Sequence, residues 1–469
     1  MDPFGKFIYK WLHGKWLDMT SILWKYLTNL DIGLTIFDLR IQIQLKPNQS
    51  AAEGRSSWSS LPPEIVQLIL QRLSINDYLH LGKVCSSWRA AVAEASASKF
   101  CRTVTQLPWL MACTYHAKDR FFLCPSEERI FKPNPRHIKK HWHCVGSVDP
   151  GWFIMIDTTA FSHPFPLPES PNFFFNPVSG ARVMLPSQST ISSDPYFFNK
   201  VVATSAPNFP VSDSCFLVAL STVHRCLAFC RLTDKLWTVI DAEETRDVDI
   251  HDIEIVDGKL YAVTRKALDF IMVFDLENSN ATAKKLVLVQ PKPVSSSRVA
   301  RMQNGLESWT GHPLYYCLAK DSSTGELLLV LNLGDFVLNT VAFPSRSINK
   351  DNTVVPPKTN KFRVFKLHDS NGDGPRWVEL HSLGHRSLFV TTTGCKVISL
   401  ATTSCYSPHE LVRGNCIYFA FHYACARNPS LSRDIGMFCF EDSSISRFLP
   451  VGSSSPICFS FVWFVPNPW

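Results

Sequence analysis

The sequence lacks the signatures of several common catalytic classes. It contains no G-x-S-x-G, no P-loop and no dinucleotide fingerprint, so nucleophile elbows, phosphate cradles and dinucleotide sites find no support. No run of about eighteen mostly apolar residues occurs, and no membrane-spanning helix is predicted. The 15 cysteines include no C-x-x-C pair, their number is odd, and no secretory leader precedes them. This predicts reduced thiols in the cytoplasm or nucleus, not a disulfide framework. A net charge of +7 over 469 residues is too modest for a dedicated nucleic-acid binder. The basic stretch from Lys99 to Pro150 reads as a solvated face.

What is present is ordinary for a globular protein: 45% hydrophobic and 19% charged residues, enough chain for two or three domains. Residues 61–89 (LPPEIVQLILQRLSINDYLHLGKVCSSWR) carry the clearest local pattern. Pro62-Pro63-Glu64 suits a first helical turn. Ile65, Leu68, Ile69 and Leu73 then recur at helical spacing. Ser74-Ile75-Asn76-Asp77 reads as a capping box that ends one helix and starts the next. Tyr78, Leu79 and Leu81 supply the second helix, and Val84, Cys85, Trp88 and Val92 the third. So small a unit cannot bury enough apolar surface to fold securely alone. It packs on the rest of the chain or offers a face to a partner.

These residues closely resemble the F-box: Leu61-Pro62-x-Glu64-Ile65, Ile69-Leu70-x-Arg72-Leu73 and Val84-Cys85-x-x-Trp88-Arg89. One departure is Ser86, where that family often has a basic residue. The resemblance implies docking onto the Skp adaptor of Skp–cullin–F-box ubiquitin ligases. The implied adaptor contacts are Leu61, Pro62, Glu64, Ile65, Leu68, Ile69, Leu73, Leu81, Val84, Cys85 and Trp88.

Beyond about residue 100, short apolar runs alternate with turn residues, from Trp152–Asp157 to Ile457–Phe464, and predict an all-β domain. Pro456–Pro466 (PICFSFVWFVP) reads as a buried strand that closes a sheet. A weak repeat narrows the choice. Leu236-Trp237-Thr238-Val239 precedes Asp257-Gly258-Lys259-Leu260-Tyr261. Arg376-Trp377-Val378-Glu379 likewise precedes Gly414-Asn415-Cys416-Ile417-Tyr418. A tryptophan strand followed by a Gly-led aromatic strand favours propeller blades over a large sandwich. An ordered series of motifs is similar to the plant F-box proteins with a kinase-inhibitor-type β-propeller: Leu107-Pro108-Trp109, Gly151-Trp152, Asn176-Pro177-x-x-Gly180-x-Arg182, Lys200-Val201-Val202 and Trp377-Val378-Glu379-Leu380. The resemblance spans about residues 58–466.

Other candidates are weaker. His137, His141, His143 and Cys144 are zinc-type ligands, but the spacing fits no single regular element. Asp369-Ser370-Asn371-Gly372-Asp373-Gly374 opens like a calcium loop yet lacks the acid at position twelve, so a hairpin loop is expected. Cys226 and Cys230 read as small core residues.

The expected fold is mainly β: an N-terminal amphipathic helical extension (1–45), a linker (46–57), a three-helix F-box (58–98) and a β-propeller (99–469). The extension is basic and Trp-bearing, so membrane contact by residues 1–30 stands beside packing on the protein's own surface. The expected function is a non-catalytic substrate receptor without cofactors. Its partners would be a Skp-type adaptor, cullin through it, and a target protein. The alternative is a propeller enzyme or small-ligand binder in which the helical unit is structural.

Overall fold

In the computed structural model the apolar runs form six sheets arranged as propeller blades. The structure describes Val66, Leu70, residues 86–97 and most of 107–467; its larger omissions are 1–65, 71–85, 159–170, 288–300, 340–354, 401–411, 423–432 and 449–457. Among the described residues of the helical unit, Val66 and Leu70 are helical and Ser86–Ala97 forms a 12-residue helix. The extension, the linker and most of the expected F-box contacts lie outside the described residues.

Blade 1 combines Cys458–Phe464 with Trp109–Thr114, Arg120–Cys124 and Arg129–Phe131. Blade 2 is Trp142–Val148, Trp152–Asp157, Asn172–Phe175 and Arg182–Leu185. Blade 3 is Lys200–Ala203, Phe216–Ser221, Cys226–Arg231 and Thr238–Ile240. Blade 4 is Ile250–Val256, Lys259–Thr264, Phe270–Asp275 and Ala283–Val287. Blade 5 has five strands: Arg301–Gln303, Leu306–Asp321, Glu326–Asn339, Val355–Ser370 and Gly374–Leu380. Blade 6 runs in space Gly394–Ser399, Arg386–Thr391, Cys416–His422, Arg433–Cys439 and Ile445–Arg447.

The inner strands meet in a ring. Trp142–Val148 touches Lys200–Ala203, and the series passes through Ile250–Val256, Leu306–Asp321 and Gly394–Ser399 to Cys458–Phe464, which returns to Trp142–Val148. Each blade interface holds its own apolar cluster. This explains why many strands read as unbroken apolar runs: both of their faces are covered. In Trp152–Asp157, Trp152, Ile154 and Ile156 pack toward blade 3, whereas Phe153 and Met155 pack toward blade 1.

Close approach at the axis restricts side chains. A Cβ on Gly146 would lie 2.1 Å from the Val201 carbonyl oxygen of the next inner strand, so only glycine fits. Turn chemistry fixes register elsewhere. Asp257 and Gly258, with φ of 49° and 74°, link Val256 to Lys259 in a two-residue hairpin.

The repeated tryptophans hold equivalent places. Trp377 lies on the outermost strand of blade 5 and Trp237 just before that of blade 3, and each enters the interface with the preceding blade. The Gly-led strands are not equivalent: Lys259–Thr264 is second in its blade and Cys416–His422 is third. Blade 6 makes its inner hairpin first and then adds Cys416–His422 parallel to Arg386–Thr391.

The C-terminal strand closes the ring as expected. It pairs antiparallel with Trp109–Thr114, with Leu110 opposite Trp463 and Met111 opposite Val462. Trp463 is 4% exposed, lies edge-on to Phe389 at 5.1 Å and donates its indole N–H to the Val390 carbonyl at 3.3 Å. Trp463→Ala should therefore destabilise the propeller by about 3–5 kcal/mol in denaturant unfolding. Val239→Ala, on an exposed outer strand, should change it by less than about 0.5 kcal/mol.

Candidate functional site

Of the expected adaptor contacts, the structure describes Trp88. Its side chain is 2% exposed within the chain itself. Val66 and Leu70 are also buried, at 5% and 1%. They lie one turn apart and form an inward face that the expected stripe of Ile65, Leu68, Ile69 and Leu73 does not include. Ser86, Ser87 and Arg89 are exposed, which places the Ser86 departure on the solvent side.

The metal candidates separate. His137 lies outside the described residues. His143 and Cys144 are neighbours on the inner strand of blade 2 and point to opposite faces. Burial, reinforced by Arg120, pushes the His143 imidazole down to about 4. Burial drives the Cys144 thiol up to about 12, and that thiol donates to the Gly146 carbonyl at 3.3 Å. Among the described residues no group of three metal-type ligands converges. The calcium-like segment forms the end of a hairpin, with Ser370 opposite Gly374 and Asp369 opposite Pro375.

Sequence reading missed the polar cluster at the propeller axis. A cavity of about 150 Å³ is lined by residues of all six blades, among them Lys200, Glu254, Lys320, Lys396, Asp149 and Trp463. Lys200 Nζ lies 2.8 Å from Asp252 Oδ1. The other oxygen, Asp252 Oδ2, accepts from the Leu318 backbone N–H at 2.7 Å. One carboxylate thus links the inner strands of blades 3, 4 and 5. Burial alone would lower the Lys200 ammonium, but the Asp252 and Glu254 carboxylates outweigh it and hold the group above its ordinary value.

On the other side of the axis Lys396 crosses from blade 6 to blade 2. It donates to the Ser147 carbonyl at 2.9 Å and pairs with Asp149 at 3.1 Å. Burial pushes the Glu254 carboxyl above the usual carboxylate range, against the pull of Lys200. Lys200 belongs to one of the motifs noted in the sequence. Its role escaped notice because Asp252 lies 52 residues away.

The described residues contain no helix long and apolar enough to cross a membrane. Residues 115–441 match the family model of the KIB1-4 beta-propeller, and residues 58–96 match that of the F-box domain. The Arabidopsis thaliana F-box protein At4g22060 is 25% identical over 90% of this chain and 99% of its own length. A second, At5g55150, is 24% identical over 84% of this chain and 93% of its own.

The axial charges generate two expectations. Asp252→Ala strands a buried ammonium and should destabilise the fold by about 3–5 kcal/mol. Glu254→Gln should act in the opposite direction. The folded carboxyl sits above its unfolded value, so folding binds a proton more tightly and the wild type loses stability as pH rises through that window. The variant should therefore be more stable than wild type at pH 7. The difference should vanish below the unfolded carboxylate pKa near ~4.3, as read from unfolding midpoints against pH.

Proposed function

The chain belongs to the KIB1-4 β-propeller family and carries an F-box ahead of the propeller, and from this we propose that it is the substrate-receptor subunit of a Skp–cullin–F-box ubiquitin ligase. The observation that carries the reading is the union of these two modules in one chain. In it, residues 58–98 dock on a Skp-type adaptor, which joins cullin, and the domain from 99 to 469 holds the target protein. The docking surface consists of Leu61, Pro62, Glu64, Ile65, Leu68, Ile69, Leu73, Leu81, Val84, Cys85 and Trp88.

Ubiquitin transfer in such an assembly is accelerated by proximity: a target held beside a charged enzyme reacts as if the step were intramolecular. The chain contributes no catalytic group and works in the cytoplasm or nucleus. Support for a non-catalytic role comes from the axis, where Lys200 and Lys396 are engaged by neighbouring blades.

A second reading, a propeller enzyme or small-ligand binder, is favoured by one observation: Glu254 and Lys320 line the axial cavity alongside those pairs. A small molecule that raises the unfolding temperature of the wild type but not of Glu254→Gln would support it.

The receptor reading is tested by the double variant Leu61→Ala/Pro62→Ala. It should lose co-purification with a Skp-type adaptor by more than about tenfold, the scale expected when central apolar anchors are truncated. The propeller should keep its wild-type unfolding midpoint. Retained binding would overturn the proposal.

A further inference from the structure

Two cysteines of blade 6 stand in a geometry that the receptor function does not use. Cys416 and Cys439 are directly opposite on the antiparallel strands Cys416–His422 and Arg433–Cys439. Their position in the ladder is fixed by the neighbouring bonds. The Phe440 N–H donates to the Asn415 carbonyl at 3.0 Å, so the pair before them is the hydrogen-bonded one. The Cys439 N–H instead turns outward to the Ser444 carbonyl at 3.0 Å. Cys416 and Cys439 therefore occupy a non-hydrogen-bonded site, where opposed Cα atoms approach to about 4.5 Å and side chains are closest. That separation lies within the range a disulfide requires.

Burial, with help from the Cys439 thiol beside it, holds the Cys416 thiol up, and both cysteines are free. Cys416 is 1% exposed, whereas Cys439 is partly open to solvent. The pair lies beside the seam where blade 6 meets the closing strand, in the cluster that includes Tyr418, Phe389 and Trp463. A second pair of free cysteines, Cys317 and Cys395, comes from two different blades, packs in one apolar cluster and is buried at both members.

The geometry points to Cys416 and Cys439 as an oxidisable dithiol, a modification site at which a peroxide-class oxidant installs a reversible disulfide. The exposed member reacts first. Cys439 sulfur takes one peroxide oxygen to become a sulfenic acid, and the first water leaves. Cys416 sulfur then attacks that sulfur. The S–S bond forms, the S–O bond breaks, and the oxygen departs with the thiol proton as a second water. Two electrons pass from the two thiols to the peroxide. Burial holds the Cys416 thiol up at about 12, so free thiolate is scarce and contact with Cys439 must supply the reactivity through proximity. The product staples the third and fourth strands of blade 6 beside the ring seam, and a dithiol reductant reverses it.

The test uses the reduced full-length chain, stepwise hydrogen peroxide, alkylation of remaining thiols and peptide mapping by mass. The expected first product is a cross-linked peptide pair containing Cys416 and Cys439, lighter by two hydrogens and released by dithiothreitol. Cys439→Ser should lose it and Cys226→Ser should keep it, both compared at native-like circular dichroism. The proposal is overturned if the wild type stops at a sulfenic or sulfinic acid on Cys439. It is equally overturned if Cys317–Cys395 cross-links first, or if no thiol reacts before the protein unfolds. The wild-type map decides the matter even where a variant fails to fold.

Discussion

Everything else in the propeller depends on one antiparallel pairing, that of Cys458–Phe464 with Trp109–Thr114. Blades taken singly have two apolar faces and no means of covering both. Only a closed ring gives each face a neighbour, and here the two ends of the β domain meet in a single sheet. The closing strand is fixed on three sides. Its outer edge takes the backbone ladder, and its side chains divide between the interfaces with blades 2 and 6. Hydroxyls from the flanking blades satisfy carbonyls on its free edge: Ser147 donates to Trp463 at 2.8 Å and Thr393 to Phe461 at 3.1 Å. An inner strand otherwise leaves such groups facing a narrow channel, where an unmet carbonyl would be penalised.

The same constraint accounts for motifs in the loops. Asn176 is fully buried and works in two directions. Its Oδ1 accepts from the Val178 and Ser179 N–H groups at 2.9 and 3.1 Å, shaping the turn before Gly180. Its Nδ2 donates to the Asn467 carbonyl at 2.9 Å, which pins the chain just beyond the closing strand. Gly151 belongs to the same arrangement, since a Cβ there would meet Asn467 at 2.7 Å. Residues that look like scattered family marks in sequence thus converge on the seam in space.

Much of this was legible where one local rule settled the conformation. Trp152–Asp157 was bounded correctly because turn residues flank a dense apolar run. Asp257-Gly258 announced its hairpin outright. The inner strands were harder. Trp142–Val148 (WHCVGSV) and Gly394–Ser399 (GCKVIS) carry glycine, lysine, serine or histidine where a strand pattern expects apolar residues, because they line a polar axis. In the first of these, His143 and Cys144 belonged to a weak metal candidate and prove to be neighbours on opposite faces of one strand. The axial site was hidden for another reason: Lys200, Asp252 and Leu318 come from three blades, and nothing local announces their meeting.

The axial charges also bear on specificity. A buried ion pair adds little net stability over apolar residues of similar size, because desolvation offsets the Coulombic gain. Breaking one by removing a partner is nonetheless severe. The buried pair Lys200–Asp252 therefore serves less to hold the blades together than to define which arrangement is correct. A one-residue slip of an inner strand would move every side chain to the other face and leave a charge unpaired in the channel. The apolar clusters supply the drive to close the ring, and the charges select the register in which it closes. Loops between the strands tolerate change without disturbing the ring, so the closure of the propeller places few demands on their sequence.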